Sequence, residues 1–245
     1  MNSFIADVRQ MIVPGSDPRH GPLPPLLLAM TLVTGLVDAF SYLLLGHVFV
    51  ANMTGNVVLL GFALVGAPGF SIAASLLAVV AFWLGAVVGG RVGTLLGQDR
   101  GRLFRTTTSI QAVFLACTVA LAAVGGNPVP DAYKYALIIV LAVAMGIQNA
   151  TARRLAVPDL TTTVLTLTMT GLAADSAIAG GQGSRAGRRL MAVAAMLIGA
   201  VVGAAFVVNG RSVYPLIIAL VVTAIAAIAS RVLAGSDTRW LHAEH

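Results

Sequence analysis

The chain has 245 residues, of which 58% are apolar and only 10% charged, and its mean hydropathy is +0.93. A soluble domain carries about 25% charged residues, so a water-soluble globule is excluded, as is a disordered chain, and an integral membrane protein remains. The net charge is +6, and fourteen of the fifteen basic residues are arginines set in short breaks between apolar runs. That placement reads as anchoring at the membrane face and not as nucleic-acid binding.

Residues 1–23 form an N-terminal surface segment. Phe4, Val8, Met11 and Ile12 recur there at roughly helical spacing and predict an amphipathic helix lying on the bilayer. No removable signal peptide is expected, because the segment lacks a long apolar stretch followed by a cleavage-like site. Eight apolar segments follow, over 24–46, 48–66, 70–93, 107–125, 132–152, 160–178, 190–209 and 213–233, and make one transmembrane domain, 24–233. Residues 234–245 are a C-terminal tail. Six segments are long enough to cross about 30 Å of hydrocarbon at about 1.5 Å per residue. The second and sixth open instead on polar runs, Asn52-Met-Thr54-Gly-Asn56 and Pro158-Asp159-Leu-Thr161-Thr162-Thr163. The expected fold is an all-α polytopic transmembrane helix bundle.

The halves repeat each other, over about 24–125 and 131–233. Gly35-Leu-Val-Asp38-Ala39 matches Gly146-Ile-Gln-Asn149-Ala150, Leu84-Gly-Ala-Val-Val-Gly-Gly90 matches Ile198-Gly-Ala-Val-Val-Gly-Ala204, and Thr54 falls opposite Thr161. If all eight segments cross, the basic residues divide eight against seven between the two sides. If the two polar-opening segments dip in and turn back, the division is thirteen against two. The second division is what positive-inside orientation predicts. The favoured layout is therefore six crossings plus two short re-entrant segments, with both termini cytoplasmic and the second repeat inverted. Eight full crossings are the alternative.

Asp38 lies inside the first span, where a carboxylate costs about 2.5–3.5 kcal/mol and points to function by default. Two readings stand: a proton, cation or counter-ion site, or a lock satisfied by neighbouring amides or a helix N-terminus. Asn149 is its uncharged counterpart. Asn52, Thr54 and Asn56, with Asp159, Thr161, Thr162 and Thr163, are good residues for starting short helices. Two such starts would aim free N–H groups at the midplane and attract an anion or a polar neutral solute. The bland reading is an ordinary cap at the membrane surface. Gly85, Gly89 and Gly93, and Gly199 and Gly203, repeat at four-residue spacing and predict close helix packing, with those two helices touching each other. Arg153 and Arg154 mark the inner face or guard an anion vestibule. Thr166, Thr168 and Thr170 read as structural hydroxyls bonded one turn back, and Gly180-Gly-Gln-Gly183 as a flexible loop. Cys117 is the one cysteine, and His20, His47, His242 and His245 are scattered. No nucleophile–base pair, metal-ligand cluster or phosphate loop is present, so neither an enzyme nor a cofactor or metal is expected.

Thr34-Gly-Leu-Val-Asp38-Ala, Gly46-His-Val-Phe-Val-Ala-Asn52-Met-Thr-Gly-Asn56, Gly146-Ile-Gln-Asn149-Ala and Thr161-Thr-Thr-Val-Leu-Thr166 together resemble the YoaK-type bacterial membrane proteins, over residues 24–233. The resemblance implies a protein of the prokaryotic cytoplasmic membrane and lends no catalytic or binding residue. The leading functional expectation is a small-solute channel or secondary transporter, lined by the two polar openings, with Asp38 as a titratable element for proton coupling. A non-transporting scaffold or accessory subunit is the rival. The partners expected are the lipid bilayer and a small polar solute or anion, with no nucleic acid; the residue pattern specifies no oligomeric state.

Overall fold

A computed structural model describes residues 2–96, 98–163, 165–181, 185–236 and 240. His242, His245, Arg239 and, of the Gly180–Gly183 loop, Gln182 and Gly183 lie outside the described residues. The described chain is helical: α1 (Asn2–Ile12), α2 (Leu23–Leu44), α3 (Met53–Leu64), α4 (Ile72–Leu96), α5 (Arg100–Gly125), α6 (Asp131–Leu155), α7 (Leu165–Ala174), α8 (Ala186–Val208) and α9 (Tyr214–Ser236). One 3-10 turn, Ala177–Ala179, follows α7. No strand occurs among the described residues.

Six helices (α2, α4, α5, α6, α8 and α9) are long and apolar enough to cross a membrane. The protein is an integral, multi-pass membrane protein. Its outer surface is apolar: Trp83, Leu84 and Val87 of α4, Val201 of α8 and Ile228 of α9 are all exposed. Its polar groups turn inward. Thr34, Ser41, Thr107, Gln111, Thr118 and Gln148 are buried, and hydroxyls such as those of Thr107 and Thr151 donate to the carbonyls of Leu103 and Ile147 one turn back, at 2.9 and 2.8 Å. This inversion follows from the solvent, since hydrocarbon satisfies no hydrogen bond.

Local signals set the helix starts. Pro24 stands in the first turn of α2, where its missing N–H costs nothing. Asp99 caps α5, accepting from the Arg102 N–H at 2.7 Å. The helix therefore begins at Arg100, well before the apolar run at 107, because hydropathy marks membrane depth and not helix limits. The amphipathic α1 forms as expected. It is docked on the body as well as surface-lying: Met11 is fully buried, and a Cβ on Gly187 of α8 would lie 2.8 Å from the Phe4 carbonyl, while Ile5 and Ile12 stay exposed.

Glycines bring the long helices together, in a different pairing from the expected one. The α4 glycines do not meet those of α8. A Cβ on Gly85 would overlap the Val143 carbonyl of α6, and one on Gly146 the Phe82 carbonyl of α4. In the same way Gly199 of α8 meets the Leu32 carbonyl of α2, and Gly35 of α2 meets the Met196 carbonyl. One turn on, a Cβ on Gly89 would lie 2.9 Å from the Ile147 carbonyl, and one on Gly203 3.0 Å from the Leu36 carbonyl. Gly93 lies against the Arg154 stem. The closest approach, at Gly85 of α4, needs a bare backbone opposite, and α6 supplies it at Gly146, as α2 does for Gly199 of α8 at Gly35. The first long helix of each half thus packs on the second long helix of the other half.

The two remaining helices are short. At about 1.5 Å per residue, α3 is roughly 18 Å long and α7 roughly 15 Å. Each has its two flanks tied together. The ring of His47, before α3, hydrogen-bonds through Nδ1 to the carbonyl of Gly69, after it, at 2.9 Å. Arg189 of α8 binds Asp159, before α7, and Asp175, after it, at 2.9 and 2.8 Å.

Candidate functional site

The first polar opening is built from α2 outward. Asp38 is 5% exposed, and its Oδ1 accepts the backbone N–H groups of Val50 and Ala51 at 3.1 and 2.9 Å. Asn56, fully buried, fastens the same loop from the other side. Its Oδ1 accepts the Phe49 N–H at 2.9 Å and its Nδ2 donates to the Phe49 carbonyl at 2.6 Å. Asn52 then caps α3, accepting from the Gly55 N–H at 3.2 Å. Three successive N–H groups of the loop between α2 and α3, those of Phe49, Val50 and Ala51, are therefore paired by side chains.

The second opening uses other chemistry for the same end. Asn149 donates through Nδ2 to the Met145 carbonyl at 2.9 Å, and its Oδ1 accepts the Thr163 hydroxyl. Asp159 faces away from this pair, toward Arg189. Asp159 and Thr162 both have left-handed backbone conformations, φ +65° and +61°. For a β-branched threonine that conformation is strained, and the buried Thr162 hydroxyl has no partner among the described residues. Asn52 and Thr163 each stand 14 residues after the polar residue of the preceding long helix, Asp38 or Asn149, and just before a short helix.

Residues of both openings share one cavity of about 630 Å³. Asn52, Thr54 and Gly55 of the first half line it with Asn149, Thr163 and Thr166 of the second, and Tyr42 and Phe49 form an aromatic side of it. The rings of Tyr42 and Phe49 stack at 4.8 Å. A second cavity of about 740 Å³ is lined by Phe82, Asn149, Arg153, Arg154 and Thr161, among others. Phe82 and Asn149 belong to both cavities, so the two adjoin there. Asp38, Asn56, Asp159 and Thr162 line neither. Asp38 and Asn56 hold the loop that forms a wall, Asp159 is paired, and Thr162 sits between Thr161 of one cavity and Thr163 of the other. Of the other threonines, Thr166 lines the first cavity, Thr168 is buried and Thr170 is exposed. Among the described residues no group of three or more His, Cys, Asp or Glu could hold a metal ion.

A family model described as a protein of unknown function, DUF1275, matches residues 26–229, from the first turn of α2 to near the end of α9. The chain belongs to the DUF1275 family. It is similar to the UPF0700 transmembrane protein YoaK of Bacillus subtilis (strain 168), with 36% identity over 155 residues. That alignment covers 61% of this chain and 65% of YoaK, slightly less than two thirds of the relative's length. No solved structure matches the chain. The YoaK-type resemblance carried by the polar motifs is thus borne out.

The DUF1275 match also takes in polar contacts that the motif reading passed over. Gln111 of α5 donates to Gln148 Oε1 of α6 at 2.6 Å, and Gln148 Nε2 donates to the Thr34 hydroxyl of α2 at 2.9 Å. This chain ties three helices through the core, and a lone glutamine in an apolar run was its visible signal. At the end holding the N-terminal segment, Asp17 pairs with Arg188 at 2.9 Å and with His20 at 3.2 Å. Burial pushes the Asp17 carboxyl up, but the Arg188 guanidinium and the N–H groups of His20 and Arg19 outweigh it and leave it below the ordinary range. Burial holds His20 below its ordinary value against the pull of Asp17. Arg100 donates to the Leu155 carbonyl at 2.6 Å, and Trp240 packs on Gly21. The start of α5, the end of α6, the start of α8, the N-terminal segment and Trp240 therefore meet at one end of this DUF1275 protein.

Proposed function

We propose that this DUF1275 protein is a small-solute channel or secondary transporter of a prokaryotic cytoplasmic membrane, and not an enzyme. In this reading α3 and α7 are re-entrant half-helices, the six long helices cross, the two repeats are inverted, and both termini are cytoplasmic. The route runs through the two adjoining cavities, with Asn52, Thr54, Asn149, Thr161 and Thr163 along it. The observation that carries the reading is that one cavity is lined by the N-terminal turns of both short helices. Broken helices meeting at an inverted-repeat interface are how many transporters place a polar site at the midplane. Asp38 and Asn56 support the wall, and Asp159 tethers α7.

The scaffold reading draws on one specific observation, the paired Asp38, since it expects that carboxylate to be locked. It also expects no shared polar cavity, which favours the transport reading. The test is flux into proteoliposomes of a panel of small polar solutes, uncharged and charged. At least one solute crosses faster than in protein-free vesicles, and Asn52→Trp with Thr163→Trp, which fills the shared cavity, removes that flux. Flux that survives both bulky substitutions in a folded protein would place the route elsewhere. Absence of any flux across the panel would return the scaffold reading.

A further inference from the structure

The charge lining the two cavities is one-sided. The cavity between the short helices is lined by uncharged side chains, and the only charged groups in the lining of the adjoining one are the guanidiniums of Arg153 and Arg154. Neither arginine has an ion-pair partner among the described residues. Among the described residues no carboxylate lines either cavity, and five are engaged elsewhere: Asp38 with Val50 and Ala51, Asp159 and Asp175 with Arg189, Asp17 with Arg188, and Asp99 with the Arg102 N–H. A positive mouth with no competing acid leads, past Phe82 and Asn149, to a neutral cavity of hydroxyl and amide groups.

From this arrangement we infer that the solute is a small anion, gathered by Arg153 and Arg154 and passed to the amide and hydroxyl groups of Asn149, Thr163 and Asn52. The inference rests on the transport reading above and names the substrate class of that route. The chemistry is direct. Guanidiniums recognise carboxylate and oxyanion groups by paired N–H donors, and a cleft lined by one sign of charge raises the local concentration of the opposite ion. A cation entering the same mouth would meet two fixed positive charges with no acid to offset them.

The test uses the purified full-length protein in vesicles of neutral phosphatidylcholine, so that lipid charge adds no selectivity. Permeation of potassium formate, potassium nitrate, guanidinium chloride and urea is compared, and the reversal potential is measured under a salt gradient. The expected result is a reversal potential following the anion, with formate or nitrate crossing faster than in protein-free vesicles. Arg153→Gln with Arg154→Gln should lower anion permeability about ten-fold, the scale on which charged clefts act, and Arg153→Lys with Arg154→Lys should restore most of it. A reversal potential following the cation, or anion permeability unchanged in the double glutamine variant, would overturn the anion assignment. Urea flux without anion flux overturns the assignment and leaves the route standing. Absence of all flux overturns both.

Discussion

A carboxylate inside a membrane-spanning helix needs donors, and Asp38 takes two backbone N–H groups from the loop that follows its own helix. The loop needs Asp38 equally, because Val50 and Ala51 are buried and have no helix to donate into. Asparagine retains an acceptor oxygen, so Asp38→Asn is expected to fold with near-native thermal stability in detergent. Asp38→Leu strands both N–H groups at about 1–3 kcal/mol each and should lower the melting temperature and the yield of monodisperse protein, both read by size exclusion and thermal unfolding. A leucine variant as stable as the native protein would remove the lock. Asp38→Asn also separates lock from coupling: if the carboxylate carries protons, gradient-driven uptake responds to a pH difference in the native protein and not in this variant. The motifs announced Asp38, Asn52 and Asn56 as special, but which atoms they serve was hidden, because the partners are backbone groups with no side-chain signature. Asp159 shows the same limit: its partner Arg189 lies 30 residues on, in a break that reads only as positive charge.

Helices were the most legible level. Hydropathy located the six long helices, since a span needs about 20 apolar residues, and polar starts marked the two short ones. The pairing of helices was not legible. A glycine repeat says that a neighbour comes close without saying which, and the partner positions Gly35 and Gly146 stand singly in their helices. Gly146→Leu is expected to push α6 from α4 by placing a side chain against the Phe82 carbonyl, a clash of about 1–3 kcal/mol or more on the scale of overpacked cores. Gly90→Leu on the same α4 should leave stability near native, because nothing lies within 4 Å of an added Cβ there. Thermal unfolding of the two variants side by side checks this, and equal melting temperatures would contradict the packing described.

At the scale of the whole molecule, the distribution of arginines and the tethers of the short helices bear on the same question by independent routes. The His47–Gly69 bond and the Asp159–Arg189–Asp175 bridge each bring the two flanks of a short helix together. In the proposed layout, single cysteines placed at Gly66 or Gly69 in a Cys117→Ser background label from outside intact cells, and those at Gly180 or Gly181 do not. Labelling of the Gly66 and Gly69 variants only after permeabilisation would refute the inverted arrangement.

The cross-packing of α2 with α8 and of α6 with α4 bears on how the chain is made. Within this sequence α2 is made well before α8, its main neighbour, so a chain halted midway between them exposes glycine faces to lipid. Cutting the gene between α5 and α6 would yield two pieces that are each incomplete, and they should accumulate only when produced together. Closure of the helix pairs thus has to wait until the second half is made, whereas Asp38 finds its partners in the loop that follows its own helix.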